Sequence, residues 1–148
     1  MCIIMIKKSI KPIEIIYSWL LLIVLLWLDL GTKYLFYDLG IYKDFFLIEP
    51  IINMGISFSL DVSYFIVLPF SLLALWWFIY LYYYKSFPSI ITLLLIAGTL
   101  WNLYDRVVYE GVRDFIVMPW LFVFNVADIF LTLGITLALI YVYNQKKK

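Results

Sequence analysis

A long apolar run from Ile15 to Leu28 constrains this chain more than any other stretch. With its flanks it reaches the roughly 20 residues that a helix rising 1.5 Å per residue needs to cross a bilayer. A secretory leader would show a small-x-small cleavage site after such a run. The chain instead continues Asp29-Leu-Gly-Thr-Lys33, so the run reads as a transmembrane helix over about 14–36, kept in the mature protein. Three more runs follow, over about 63–84, 88–106 and 119–143. Pro69 is expected to bend the second. Tyr82, Tyr83, Tyr84 and Lys85 close it as an aromatic belt and a snorkelling lysine would. Pro88 suits the first turn of the third.

Composition agrees: 66% of the 148 residues are hydrophobic, only 14% are charged, and the mean hydropathy is +1.02. A soluble domain of this length would not normally carry so little charge. Between the first two runs, residues 37–62 lose the helical pattern and carry Asp38, Lys43, Asp44, Glu49 and Asp61, with Gly40, Pro50 and Gly55 as breakers. Asp44–Ile52 is expected to form a short strand or two. The expected fold is therefore an all-α integral membrane protein. It is a four-transmembrane-helix bundle with a small outer-face subdomain containing short β-strands, and residues 1–148 form one membrane-embedded unit.

Four spans place both termini on one side. Lys7, Lys8, Lys11, Lys85 and Lys146–Lys148 fall there, against Lys33, Lys43, Arg106 and Arg113 opposite. This bias makes the termini cytoplasmic. The stretch from Asn102 to Asp128 then faces outward. It holds both arginines and four of the ten acidic residues. Charges at such places in an apolar chain are expensive and usually functional.

With no histidine and one cysteine, Ser-His-Asp and Cys-His catalysis and internal disulfides are excluded, and a Cys/His zinc site lacks ligands. No cofactor or metal is expected. The net charge of +1 gives no support for a nucleic-acid partner. Any enzyme chemistry must use Asp, Glu, Lys or Tyr.

On the third helix Gly98, Asn102 and Asp105 share a face, with Arg106 four residues from Asn102, so that the face carries a small residue, an amide and an Asp105–Arg106 charge pair. Gly98 allows a neighbouring helix or a substrate backbone to come close. On the fourth, Asn125 and Asp128 share a face, and Asn125 caps the helix if the chain enters the membrane there. The short link over Val107–Met118 can return Asp114 toward Asp128. Two carboxylates within hydrogen-bonding reach share a proton, so one can take a proton from water while the other donates one. Another arrangement fits equally: Asp114 solvated in a loop, and Asp128 paired with Arg106 or Arg113. Asp29 and Lys33, four apart in the favourable order, read as a neutralising ion pair or as direct contributors.

Five blocks in order resemble lipoprotein signal peptidase (signal peptidase II). They are Asp29-Leu-Gly-Thr-Lys33, Asn53-Met-Gly55-Ile-Ser-Phe58-Ser, and Ala97-Gly98-Thr-Leu-Trp-Asn102-Leu-Tyr-Asp105-Arg106, then Val112-Arg-Asp114-Phe115-Ile116 and Phe124-Asn125-Val-Ala127-Asp128. The resemblance implies a bacterial inner-membrane aspartyl endopeptidase. Such an enzyme cuts prolipoproteins before a cysteine that already carries a diacylglyceryl group. It implies Asp114 and Asp128 as the catalytic pair. Asn53, Gly55, Gly98, Asn102, Asp105, Arg106 and Asn125 would bind substrate or support the pocket, and Asp29 and Lys33 would form a structural ion pair. Lipidated prolipoproteins, membrane phospholipid and globomycin-type inhibitors are the implied partners.

The chain departs from the family pattern in places. Ala97 and Trp101 stand where glycines are usual, the loop between Asp114 and Phe124 is short, and Ile56 and Ser57 replace small alanines. Trp101 is expected to face away from Asn102. The rival readings are a small transporter with intramembrane aspartates, a Ser/Lys hydrolase using Lys33 with Ser57 or Ser59, and a non-enzymatic assembly factor. Cys2 has no lipobox ahead of it and reads as incidental.

Overall fold

The computed structural model describes residues 12–42, 44–55 and 64–147. Readings that concern Cys2, Lys7, Lys8, Lys11, Lys43, Ile56, Ser57, Phe58, Ser59, Asp61 and Lys148 lie outside these residues.

Four helices are long and apolar enough to cross a membrane. They are α1 (Pro12–Thr32), α2 (Tyr64–Tyr83), α3 (Ser89–Tyr109) and α4 (Val126–Gln145). A π-helical turn over Lys33–Asp38 prolongs α1. Three strands complete the fold: β1 (Ile48–Asn53), β2 (Val112–Met118) and β3 (Phe122–Phe124). They form one antiparallel sheet in the order β1-β2-β3.

The least apolar helix is the one at the centre. α3 has 67% of its span buried, against 17% for α1, 6% for α2 and 17% for α4. The other three surround it and turn residues such as Trp19, Trp27 and Trp76 outward. Lipid is as apolar as these side chains, so helices associate through close packing and polar contacts instead of hydrophobic burial. Gly98 permits that packing. A Cβ there would meet the Ala127 carbonyl oxygen at 2.5 Å and Leu131 Cγ at 2.8 Å. α4 therefore crosses α3 with backbone almost against backbone. At the opposite end, Lys85 of the α2–α3 turn pairs with Glu14 at the start of α1.

The region between α3 and α4 departs from the expectation. The fourth helix was expected from Pro119, and residues 107–118 were expected to be a plain link. Instead β2 and β3 form a hairpin, and α4 begins at Val126 behind an Asn125 cap. The physical reason is local. Pro119 suits the first turn of a helix, but it suits equally the second position of a type II turn. Here the Met118 carbonyl accepts the Leu121 N–H at 3.0 Å, and Trp120 has φ +67°. Val112, Ile116, Val117 and Val123 favour the pleated strands on either side. Of the segment Asp44–Ile52, only the last part forms a strand, and it runs on to Asn53. Asn53 pairs with Val112 and Ile51 with Asp114. Gly111 makes the crossing possible, since a Cβ there would meet Ile52 Cγ2 at 2.5 Å.

Candidate active site

The sheet roofs a cavity of about 710 Å³ between α2, α3 and α4. Ile66, Val67, Phe70, Ala74 and Phe78 of α2 and Leu131 of α4 form an apolar wall. Asn53, Asn102, Arg106, Asp114 and Asp128 form the polar head. Asp114 and Asp128 thus share one cavity, although they come from a strand and a helix.

Each carboxylate is held by amides. Asp114 Oδ2 accepts from Asn53 Nδ2 at 2.9 Å and Oδ1 accepts from Asn125 Nδ2 at 2.6 Å. Asp128 Oδ1 accepts from Asn102 Nδ2 at 2.8 Å. The other Asp128 oxygen takes part in a capping box. It accepts the Asn125 N–H at 3.2 Å, while Asn125 Oδ1 accepts the Asp128 N–H at 3.0 Å. Asn125 therefore caps α4, as its place in the sequence suggested, and joins the two carboxylates. Asp114 is 1% exposed. Burial pushes its carboxyl from 3.8 up to about 7, and the Asp128 charge adds to the rise. The amides of Asn53 and Asn125 and the Lys33 charge oppose it.

A second buried cluster lies behind this head. Lys33 Nζ lies 2.7 Å from Asp29 Oδ2 and 2.9 Å from Asp105 Oδ2. Arg113 reaches Asp105 Oδ1 through NH2 at 2.9 Å and Asp38 through NH1 at 2.8 Å. The remaining Asp29 oxygen accepts the Ala127 N–H at 2.7 Å, which ties α1 to the start of α4. Asp29 and Lys33 form an ion pair within a wider network, with both side chains at 0% exposure.

Period decides which residue joins which cluster. Successive side chains on a strand point to opposite faces. Asp114 and Val112 therefore line the cavity, while Arg113 and Phe115 turn to the other face, onto Asp105 and Phe36. On α3, Asn102 and Arg106 face the cavity and Asp105 faces Lys33. The Asp105–Arg106 charge pair read from the sequence does not form. Arg106 NH1 donates to the Asn102 carbonyl at 3.2 Å, and among the described residues it makes no ion pair within 4.0 Å. Asp128 likewise pairs with neither arginine, and Asp114 is buried, which removes the solvated-loop alternative.

The two glycines support the head without lining the cavity. Gly98 brings α4 close to α3. The Gly55 N–H donates to Asn53 Oδ1 at 3.0 Å and so turns Asn53 Nδ2 toward Asp114. Trp101 packs edge-on against Tyr104, centroids 5.1 Å apart, and does not line the cavity. Ser57 and Ser59 lie outside the described residues, and Lys33 Nζ is engaged by Asp29, Asp105 and Asn102, so Lys33 is not free to act as a base. Sequence reading overlooked Arg113 and Asp38 as partners. The pleat of β2 would have shown that Arg113 and Asp114 diverge.

Four helices apolar enough to cross a membrane, three of them around a cavity with a polar head, fit a multi-pass membrane protein. Residues 21–144 match the family described as signal peptidase (SPase) II. The chain belongs to that family and is a peptidase. It is 30% identical to a lipoprotein signal peptidase of Clostridium tetani, over 73% of this chain and 76% of that protein. It is 29% identical to one from Borrelia hermsii, over 88% and 85% respectively. The fold is shared with a solved bacterial membrane enzyme, determined by the in meso method at 2.3 Å resolution. The TM-score is 0.74 at 24% identity, covering 89% of this chain and 90% of that one.

Proposed function

We propose that this chain is an aspartyl endopeptidase that removes signal peptides from diacylglyceryl-modified prolipoproteins, cutting before the lipidated cysteine. The observation that carries this reading is the pair Asp114 and Asp128 at the head of one apolar cavity, both held by neutral amides and, among the described residues, neither by a cation. Such a pair can hold one proton between two carboxyls. Asp114, raised to about 7, carries that proton. Asp128 removes a proton from water, and the resulting hydroxyl attacks the scissile carbonyl carbon. Asp114 protonates the carbonyl oxygen. The tetrahedral intermediate then collapses: the leaving amide nitrogen takes the proton from Asp128 while a hydroxyl of the gem-diol returns a proton to Asp114, which regenerates the pair. No covalent enzyme intermediate forms.

The remaining lining fits the substrate class. A signal peptide arrives as an apolar helix, and the apolar wall from α2 and α4 suits it and the acyl chains. Arg106 and Asn102 can hold backbone and headgroup oxygens that would otherwise be left unpaired. The site lies at the sheet end of the bundle, which the lysine bias places outside a bacterial inner membrane, in contact with phospholipid, with both termini cytoplasmic. Polar groups gathered at one end favour interfacial chemistry over a transport path, which would need charges near the midplane. Globomycin-type cyclic peptides occupy the same cavity.

The test is a gel-shift assay of a lipidated prolipoprotein with the wild type, Asp114→Asn and Asp128→Asn in detergent. Both variants insert and neither cleaves; full turnover by either one refutes the dyad. Equal cleavage of lipidated and unlipidated substrate refutes the substrate class. Globomycin raises the melting temperature of the wild type, and no shift at saturation removes it from the partners.

A further inference from the structure

The three asparagines of the site are alike in chemistry but are held in different ways. Rotating an Asn amide by half a turn exchanges its oxygen and nitrogen with almost no change of shape. Only the donors around the oxygen decide which end faces a carboxylate. Asn53 Oδ1 is fixed by the Gly55 N–H at 3.0 Å, and Asn125 Oδ1 by the Asp128 N–H at 3.0 Å. Both are backbone donors. Asn102 Oδ1 has no backbone donor among the described residues. It accepts from Lys33 Nζ at 3.3 Å and from Asn125 Nδ2 at 3.1 Å. Asn102 Nδ2 is thereby turned onto Asp128 Oδ1 at 2.8 Å.

We infer that Lys33 is a positioning residue for the dyad: its ammonium sets the polarity of the Asn102 amide and so keeps a hydrogen-bond donor aimed at Asp128. This rests on the dyad reading given above. A reversed Asn102 would bring its NH2 against an ammonium and a second NH2, and its oxygen against a carboxylate. All three contacts would be repulsive, so Lys33 holds one polarity firmly. This contact links the cation cluster to the amide-held pair, and its ammonium is 0% exposed, where water cannot replace it as donor. The charged groups around Asp114 are Asp128 from α4, Arg106 from α3 and Lys33 from the π turn after α1. The Lys33 charge holds the Asp114 carboxyl lower than burial alone would leave it.

Removing Lys33 alone would strand Asp29, so charge-balanced variants are the useful ones. Asp105 keeps Arg113 in each, and an Asn at 29 keeps an oxygen for the Ala127 N–H. Asp29→Asn/Lys33→Met has neither charge nor donor at position 33. Asp29→Asn/Lys33→Gln has a neutral donor. Each is measured as the full chain in detergent, with melting temperature, kcat, KM and the pH profile on a lipidated prolipoprotein. The Met variant is expected to lose kcat on the order of 10- to 100-fold with KM nearly unchanged, the scale of a misplaced catalytic group. Its alkaline limb is expected to move to higher pH, because Asp114 loses a nearby positive charge. The Gln variant recovers part of kcat at the same melting temperature. The inference is overturned if kcat and the profile of the Met variant match wild type, or if activity simply follows melting temperature across the two variants. Failure of both variants to fold also overturns it, since Lys33 would then have no role separable from folding. Asp114→Asn and Asp128→Asn run alongside: turnover by either one refutes the dyad itself, whereas two dead aspartate variants beside a normal Met variant refute only the role of Lys33.

Discussion

Asp105 and Asp114 are both almost fully buried, lie nine residues apart in the chain and belong to neighbouring elements, yet their surroundings are opposite. Asp105 is enclosed by Lys33 Nζ and by the Nε, NH2 and backbone N–H of Arg113. Asp114 accepts hydrogen bonds only from side-chain amides among the described residues. A carboxylate between two cations balances and ties them, and removing its charge would strand both. A carboxylate held by neutral donors can gain or lose a proton at moderate cost. The difference separates an ion-paired carboxylate from the one proposed as an acid–base group, and it is made by partners rather than by depth.

The largest effect that tests this contrast is on turnover. Asp114→Asn should reduce cleavage by at least about 1,000-fold, the scale seen when an acid–base member of a coupled catalytic unit is lost. Its stability should move the other way at high pH. A carboxyl raised from 3.8 to about 7 binds more protons folded than unfolded across that window. The wild type therefore loses stability as pH rises from about 4 to 7. Asparagine has no such dependence, so the variant should melt above wild type at pH 8, with the gap closing by pH 5. A variant that is inactive because it is unfolded would break the comparison. In the same window, wild-type turnover should decline above about pH 7 as Asp114 loses its proton.

Asp105→Asn should show the reverse pattern. It leaves Lys33 and Arg113 with too little buried negative charge, a defect that costs about 3–5 kcal/mol. Activity should fall with the folded fraction, and the profile of whatever remains folded should keep its alkaline limb. Equal melting temperatures for Asp105→Asn and wild type would show that the cation cluster is not structural. Arg113→Lys is the milder probe. A lysine cannot reach Asp105 with a planar fork and Asp38 at once, so about 1–2 kcal/mol should be lost. Turnover per folded molecule should stay within a few-fold, because Arg113 points to the face of β2 away from Asp114. A turnover loss without a stability loss would mean that the pleat does not insulate the two clusters.

How much of this was legible depends on range. The four apolar runs follow from composition and length. That Asp114 and Asp128 border one cavity was signalled by their motif blocks and by the short chain between them. The Asn125 cap was visible because a capping box is local: Asn125 and Asp128 stand three apart. What escaped was whatever depended on β2. Taking residues 107–118 as a link left Arg113 without a face, so Asp105 seemed to belong to its neighbour Arg106. Asp38 and Arg113 are 75 residues apart, and no local pattern joins them. The hairpin was hidden because Pro119 serves a helix start and a β-turn alike.

The smallest effect sharpens the comparison most, because it alters one amide and leaves every charge in place. Asn53 is the amide of Asp114 held by a loop rather than by a helix cap: Gly55 fixes its oxygen and its nitrogen reaches Asp114 Oδ2. Asn53→Ala removes that donor but keeps Asn125 on the other oxygen. The Asn53 bond lowers the Asp114 carboxyl, so its loss should raise that carboxyl and move the alkaline limb to higher pH. Turnover at the optimum should fall only about 3- to 10-fold, the scale of one hydrogen bond. Stability should change little, because the side chain borders the cavity. A limb that moves to lower pH would mean that Asn53 favours the protonated acid, with its oxygen and not its nitrogen toward Asp114. The contrast between an amide-held and a cation-held carboxylate would then rest on Asn125 and Asn102 alone.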